Sequence, residues 1–487
     1  MLRSFTPLPV TPESKPFASA VETCGLEKLG YVEEEFLQAG TANLYREDAH
    51  HQVEPFYRDA PYCTRVLLRR PSEPEKWSGN VVVEILNSSA NVDIDRMWVN
   101  SWPFFTRNGD IYIGISSKGQ VVDVLKRFDL ERYAPICWDN PLPERVPAYN
   151  PPAGPGHILL QYEVGLFWDM LLDLAKLLRS DRPENPLLGL SRPYLYLTGW
   201  SQSTGYVVRY VSSFAYRQEN LTDGPLFDGY LNGGGGVWYA ALDNLQRVSM
   251  GDPGHQPGSV FGAREPFIAV NTEMENRIAF WYGDFDEPDF KFRTWQISGS
   301  SHNSKYNLLD YYGPEGVREL EDKYGIYNGY YGVDGGPLDA PHELVFNAAW
   351  YALFRWAREG VPAPHAPKIE TEIRDRPSDP RSGSFVWNRT DAFGNCLGGI
   401  RTPAIQYPTA RYFHTSHRAD GSANPSFGTA NPFSPNLLRE LYGSLAHYET
   451  LISQEYDRLS AQGFLLPEDK PQFLADTLAL AARRGLQ

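Results

Sequence analysis

The chain has 487 residues, 42% of them hydrophobic and 14% aromatic, which is enough to bury a large core and excludes a disordered polymer. Lys and Arg number 45 against 60 Asp and Glu, and the resulting formal charge of -15 would repel a phosphate backbone, so no nucleic acid is expected as a partner. Cys24, Cys63, Cys137 and Cys396 lie far apart, with no C-x-x-C pair and no histidines at metal-ligand spacing, and read as reduced structural thiols without a metal.

The opening MLRSFTPLPVTPESKPF lacks the apolar run of about 7 to 15 residues that a secretory signal needs. No stretch reaches the roughly 20 apolar residues of a membrane span. The expectation is a cytoplasmic protein with no membrane partner. Going along the chain, residues 64 to 70 (TRVLLRR) and 79 to 87 (GNVVVEILN) read as a strand pair around a turn-forming PSEPEKWS. Residues 110 to 119 (DIYIGISSKG) form a third short apolar run. Helical spacing follows over 163 to 180, where Leu166, Met170, Leu171, Leu174, Leu177 and Leu178 make an apolar stripe. Then come a strand at 193 to 199, a helix at 202 to 215, strands at 227 to 234, 266 to 273 and 291 to 299, and a helix at 342 to 360. Strands alternating with helices predict α/β architecture with a mainly parallel sheet. The proline- or glycine-rich stretches 135 to 156 and 251 to 265 are too long for plain connections and are expected to act as lids. Loop-forming residues dominate from about 365 until a helical close at 435 to 459.

The sharpest local signal is Gly199-Trp200-Ser201-Gln202-Ser203, placed where a predicted strand becomes a predicted helix. In a G-x-S-x-G elbow the serine sits on a strained turn that exposes its hydroxyl, and small neighbours let the backbones approach. Ser203 stands where the second glycine is usual. A serine-rich helix cap would look the same over five residues, but the strand and helix on either side favour a nucleophile. A serine hydroxyl needs a base, and the base needs a partner that holds its tautomer. Among ten histidines, His302 alone directly follows a strand that comes after both the serine and a candidate acid. For the acid, the strand at 266 to 273 runs into MEN and offers Glu273 and Glu275. Glu275, on the loop beyond, is preferred, with Glu273 the near alternative and Asp284, Asp286 and Asp289 weaker ones.

The oxyanion of an acyl transfer needs backbone donors, expected from Gln202 and from Ser88 or Ser89 at the end of the strand 79 to 87. The run Asn232 to Gly236 comes after the serine, so it is read as a loop close to the substrate or as a plain turn. Trp200, Tyr206, Trp238 and Tyr239 flank the expected site and suggest an apolar or aromatic substrate group, although aromatic residues so placed also serve as core.

Taken together, several blocks resemble the alpha/beta hydrolase domain family of bacterial and fungal proteins. They are GYVEEEFLQAGTANLYR (30 to 46), VVVEILNSS, ISSKG followed by FDLERYA, GWSQSTG, NTEMEN, FRTWQISGSSH, RWAREGVPAP (355 to 364) and DAFGNCLGGIRTPAI (391 to 405). The resemblance spans nearly the whole chain. It implies an α/β-hydrolase fold, with residues 1 to 60 packing on a catalytic core at 61 to 362 and an integral C-terminal extension at 363 to 487. It also implies a serine esterase or related hydrolase, with the nucleophile carried to Ser201, the base to His302 and the acid to Glu275, where relatives more often have Asp. Arg401-Thr402-Pro403 receives no role and is expected to hold a buried structural arginine. The expected chemistry is cleavage of a small-molecule ester or lactone through an acyl-enzyme, with no metal or organic cofactor. An acyltransferase on the same residues, and a binding protein that keeps the fold without turnover, are the alternatives.

Overall fold

In a sheet, residues that cannot meet water on either face must be apolar throughout or have their polar groups bonded internally. The computed structural model of the protein shows both solutions side by side. It describes residues 1–17, 25–48, 52–147, 159–221, 223–246, 259–277, 283–324, 335–374, 385–417 and 421–487. The chain divides into two compact units, one of residues 1–266 and 315–326 and one of residues 267–314 and 327–487.

Among its described residues the first unit contains seven hydrogen-bonded strands: β1 (Leu2–Leu8), β2 (Tyr31–Glu47), β3 (Val53–Pro71), β4 (Asn80–Ile85), β5 (Ile111–Ile115), β6 (Tyr194–Trp200) and β7 (Gly229–Gly233), in the order β1-β2-β3-β5-β4-β6-β7. The first three are antiparallel, and β5, β4, β6 and β7 run parallel. The segments at 64 to 70 and 79 to 87, expected to pair, do not: β5 lies between them, bonded to both. The apolar run of each strand is satisfied equally well by either neighbour, so composition could not choose the partner.

β4 is buried along its whole length, including Glu84. That carboxylate accepts from the N–H of Met97 at 3.0 Å, at the start of helix Arg96–Asn108, and from the Tyr112 hydroxyl at 2.8 Å. Burial pushes its pKa up to about 8, against the pull of those hydrogen bonds. Helix Phe167–Leu178 buries the predicted leucine stripe, and Gln38 on β2 donates to its Met170 carbonyl at 2.8 Å. Part of the predicted lid at 135 to 156 belongs to this unit's packing: Cys137 exchanges backbone hydrogen bonds with Cys63, and Trp138 is buried. Its remainder, 148–156, and residues 251–258 of the second predicted lid lie outside the described residues, as does Cys24. Cys63, Cys137 and Cys396 are free thiols.

The second unit holds β8 (Phe267–Thr272), β9 (Phe285–Glu287) and β10 (Phe290–Ile297), with β8 parallel to β10 and β9 antiparallel to it. Helix Glu343–Glu359 belongs to this unit, and its Trp356 ring lies 4.8 Å from the Arg293 guanidinium of β10. The predicted closing helix is two, Pro435–Tyr442 and Leu445–Ala461, broken at Gly443 with φ 70°. A further helix, Lys470–Arg483, follows. No helix among the described residues is long and apolar enough to cross a membrane.

A buried charge cluster ties the N-terminal strands together. Glu35 of β2 pairs with Arg65 of β3, accepts from Arg132 at 2.6 Å and from the Tyr133 hydroxyl at 2.9 Å, while Arg65 also bonds Asp93 at 3.1 Å. Removing one member of such a cluster leaves uncompensated charge in the interior. Glu35→Gln is therefore expected to lower unfolding free energy by about 3–5 kcal/mol, read from denaturant melts.

Candidate active site

β6 runs straight into a short turn, Ser201–Ser203, and then helix Thr204–Ser213. Ser201 has φ 55°, a left-handed conformation that costs a non-glycine residue of order 1 kcal/mol or more. The close packing that enforces it is visible atom by atom. A Cβ on Gly199 would sit 2.7 Å from the Ser203 carbonyl oxygen, and one on Gly235 would sit 3.0 Å from the Ser201 carbonyl oxygen. Ser203, the departure from the usual glycine, is fully buried, and its hydroxyl donates to Leu86 O at 3.3 Å. Thr204 donates its hydroxyl to Ser201 O at 2.7 Å.

The end of β4 is fastened to this turn. Asn87 Nδ2 donates to Trp200 O at 2.9 Å, and Asn87 Oδ1 accepts from the Ser89 N–H at 2.9 Å and the Ser89 hydroxyl at 2.6 Å. Of the two serines offered as oxyanion donors, Ser89 has its N–H committed to Asn87. The Ser88 N–H makes no hydrogen bond among the described residues, and Ser88 is fully buried. An uncommitted buried N–H is rare.

Of the aromatic side chains offered as substrate contacts, Trp200 and Tyr206 are core instead. The Trp200 indole lies against Gly233 and Gly234, where added Cβ atoms would come within 2.6 and 2.7 Å of it, and Tyr206 packs its ring on Phe167 and Trp168 at 5.2 and 5.4 Å. The glycine run after β7 is thus a packing surface for the elbow, with Gly234 at φ 60°. Trp238 is half-buried and donates its indole N–H to the Thr204 hydroxyl at 3.2 Å, and Tyr239 lies 4.0 Å beneath the Arg209 guanidinium.

In the second unit, the loops after β8 and β10 carry Glu275 and His302. His302 Nδ1 lies 2.6 Å from Glu275 Oε1. Glu275 is buried, and its Oε2 accepts from the Thr272 N–H at 2.8 Å and the Thr272 hydroxyl at 2.5 Å. Burial alone would raise its pKa, but the hydrogen bond and charge of His302 and the two Thr272 bonds outweigh it and hold the carboxyl below its usual range. An ionised carboxylate only accepts, so Nδ1 carries a proton, and in the neutral imidazole Nε2 keeps its lone pair.

Glu273 is occupied elsewhere: its Oε2 accepts from the Gly299 N–H at 2.8 Å and its Oε1 lies 3.1 Å from Nδ1 of His414, a residue no sequence signal had marked. Gly299 turns the chain toward His302 at φ 68°, with no room for a Cβ beside Ile405. The Ser301 hydroxyl donates to His414 O at 2.8 Å. Asp284 bonds Thr294 N, His365 and Lys368, Asp286 bonds Arg293 and His365, and Asp289 is exposed. Arg401 is half-buried rather than buried; it holds Asp391 at 3.0 Å and Ile405 O at 2.9 Å. No cluster of metal-binding side chains occurs among the described residues.

The sequence profile of the alpha/beta hydrolase domain family matches residues 4–475. The chain belongs to that family. The match makes the protein a hydrolase with the corresponding fold. No curated protein matches it in sequence. Among solved structures it is similar to an alpha-beta serine hydrolase homologue from Coxiella burnetii, with 8% identity over 58% of this chain and 94% of the other and a TM-score of 0.25. It is also similar to a cold-adapted esterase from an Arctic intertidal metagenomic library (12%, 49% and 72%, TM-score 0.23) and to Thermogutta terrifontis esterase 2 (9%, 50% and 74%, TM-score 0.25). Likeness at these scores is too low to inform the site.

The packing around Ser201 makes the elbow intolerant of a single methyl. Gly199→Ala should cost about 1–3 kcal/mol of stability, because the new Cβ meets backbone that cannot swing aside. Thermal melts against wild type check this, and an unchanged Tm would mean that the elbow is looser than its geometry indicates.

Proposed function

We propose that this hydrolase cleaves a carboxylic ester or lactone by an acyl-enzyme route, with Ser201 as nucleophile, His302 as base and Glu275 as the acid that holds His302. The observation that carries this reading is the buried 2.6 Å contact of Glu275 with His302 Nδ1, which leaves Nε2 as a proton acceptor. Ser201 supports it from the other unit, because a serine kept at φ 55° on a strand-to-helix turn is held in the strained posture a nucleophile elbow requires.

In this mechanism Nε2 takes the Ser201 proton as the oxygen attacks the ester carbonyl. The N–H groups of Gln202 and Ser88 receive the developing oxyanion. Ser88 is fully buried, next to the exposed Ser89. The intermediate collapses, His302 returns the proton to the leaving alcohol, and water repeats the sequence on the acyl-enzyme. Free thiols at Cys63, Cys137 and Cys396 fit a reducing, cytoplasmic setting.

Ser201→Ala should fold normally, lose fluorophosphonate labelling and lose ester turnover by several orders of magnitude. Glu275→Gln should cost roughly 10⁴ in kcat, since the imidazole loses the group that fixes its tautomer, whereas Glu273→Gln leaves that group in place and should lose far less. Reversal of the last two losses would make Glu273 the acid.

Turnover should fall on acidification as the imidazole gains a proton, because only neutral Nε2 can accept from serine. Glu275, with its pKa depressed, remains charged through that range. The acid limb of log kcat/KM against pH should therefore have the slope of one proton, and a two-proton slope would mean that both members of the pair titrate together.

A further inference from the structure

Lys118 closes the segment Ile115-Ser116-Ser117-Lys118 after β5 and is 4% exposed. Its Nζ donates to the Ser88 hydroxyl at 3.0 Å, lies 3.5 Å from Ser117 Oγ, and stands 4.7 Å over the Tyr206 ring. No carboxylate is within ion-pair distance of it among the described residues. The nearest acidic influence is Asp93, which is already bonded to Arg65 at 3.1 Å and to Ser116 at 2.5 Å, and Arg65 in turn holds Glu35. The position is tightly built: the next residue, Gly119, has no room for a Cβ beside Tyr162.

A lysine amine enclosed without a counter-ion costs several kcal/mol if charged, and burial pulls its pKa down to about 7 against the weak support of Asp93. Such an arrangement is poor for stability, since a methionine would fill the space without the penalty. Its location offers a use. Ser88 accepts from Lys118, and neither the Ser88 hydroxyl proton nor its N–H has an acceptor among the described residues. Through Asn87, the same strand end is bonded to Trp200 O, one residue before the nucleophile. Ser117, beside Lys118, donates to Leu86 O at 2.7 Å, the oxygen that also receives Ser203.

We propose that Lys118 is a positioning residue of the Ser201 site: through its bond to Ser88 it fixes the oxyanion-binding turn and, as the cation, lends that turn the positive charge that favours a developing oxyanion. The inference rests on the Ser201 mechanism given above. A cation beneath the donor contributes in the transition state, where negative charge appears, and little in the ground state, so it acts on kcat rather than on KM. It also makes Lys118 a second ionisation in the reaction, active when protonated, opposite in sign to the base.

The test is the pH profile of an aryl acetate such as p-nitrophenyl acetate on wild type, Lys118→Met and Lys118→Arg, with fluorophosphonate labelling of each. Wild-type kcat should fall as pH rises above the range in which Lys118 loses its proton. Lys118→Met keeps the stem that packs on Tyr206 but not the charge; it should be labelled more slowly and lose roughly tenfold to a hundredfold in kcat, with KM within about threefold and no alkaline fall. Lys118→Arg should move the alkaline fall to higher pH. Wild-type kcat in Lys118→Met, or an alkaline limb that is the same in both proteins, overturns the proposal. Should Lys118→Met not fold, the wild-type profile decides alone, since a kcat that stays level above neutrality overturns it equally. Absence of wild-type labelling at Ser201 removes the underlying mechanism and this role with it, whereas normal wild-type labelling with an indifferent Lys118 removes this role only.

Discussion

A serine held at φ 55° between a strand and a helix is the constraint around which the first unit is built. A left-handed residue in that position brings the chain so close to itself that position 199 cannot carry a side chain. It also brings the elbow so close to the strand after it that three successive glycines, Gly233 to Gly235, are needed to receive Trp200 and Thr204. The local strain is opposed by bonds that reach across three strands: Asn87 to Trp200 O, Ser203 to Leu86 O and Ser117 to Leu86 O. The end of β4 is therefore part of the same construction as Ser201.

The second unit solves a different problem, that of keeping two neighbouring carboxylates apart in function. Glu273 and Glu275 lie within one turn of chain, and each meets its own imidazole, His414 and His302. The Thr272 donors are directed at Glu275 and the Gly299 N–H at Glu273, so each carboxylate has separate hydrogen-bond donors and neither competes for the other's histidine. The orientation of His302 results from backbone placement as well as from the side chains.

Most of the α/β framework was legible because its strands are short, apolar and bounded by turn residues. β4, β6, β7, β8 and β10 all fall within two residues of where the pattern puts them, and β5 ends four residues before its predicted run does. β2 was not, since YVEEEFLQAG mixes three glutamates into a strand whose Glu35 turns inward to Arg65, a pairing visible only in three dimensions. Helix Arg96–Asn108 went unread although Met97, Trp98, Phe104 and Phe105 are buried along one face, because Pro103 interrupts the pattern. Position after a strand is what singled out Ser201, Glu275 and His302 as candidates. It could not show that Glu273 is taken by His414, whose neighbours in RYFHTSH look like an ordinary loop, nor that Trp200 and Tyr206 are core. Lys118 was equally silent, because nothing in ISSKG reveals that the amine is enclosed.

The bond between His414 and Glu273 has a bearing on how the protein is made. Ribosomes deliver the chain from its N-terminus, so the strands and elbow of the first unit leave the exit tunnel long before residue 414 does. Until then the turn that presents Glu273 lacks one of its fasteners, and Ser301, beside His302, lacks the carbonyl it donates to. A nascent chain interrupted before residue 414 would carry the Ser201 turn while the turns bearing Glu273 and Ser301 still lack these two fasteners.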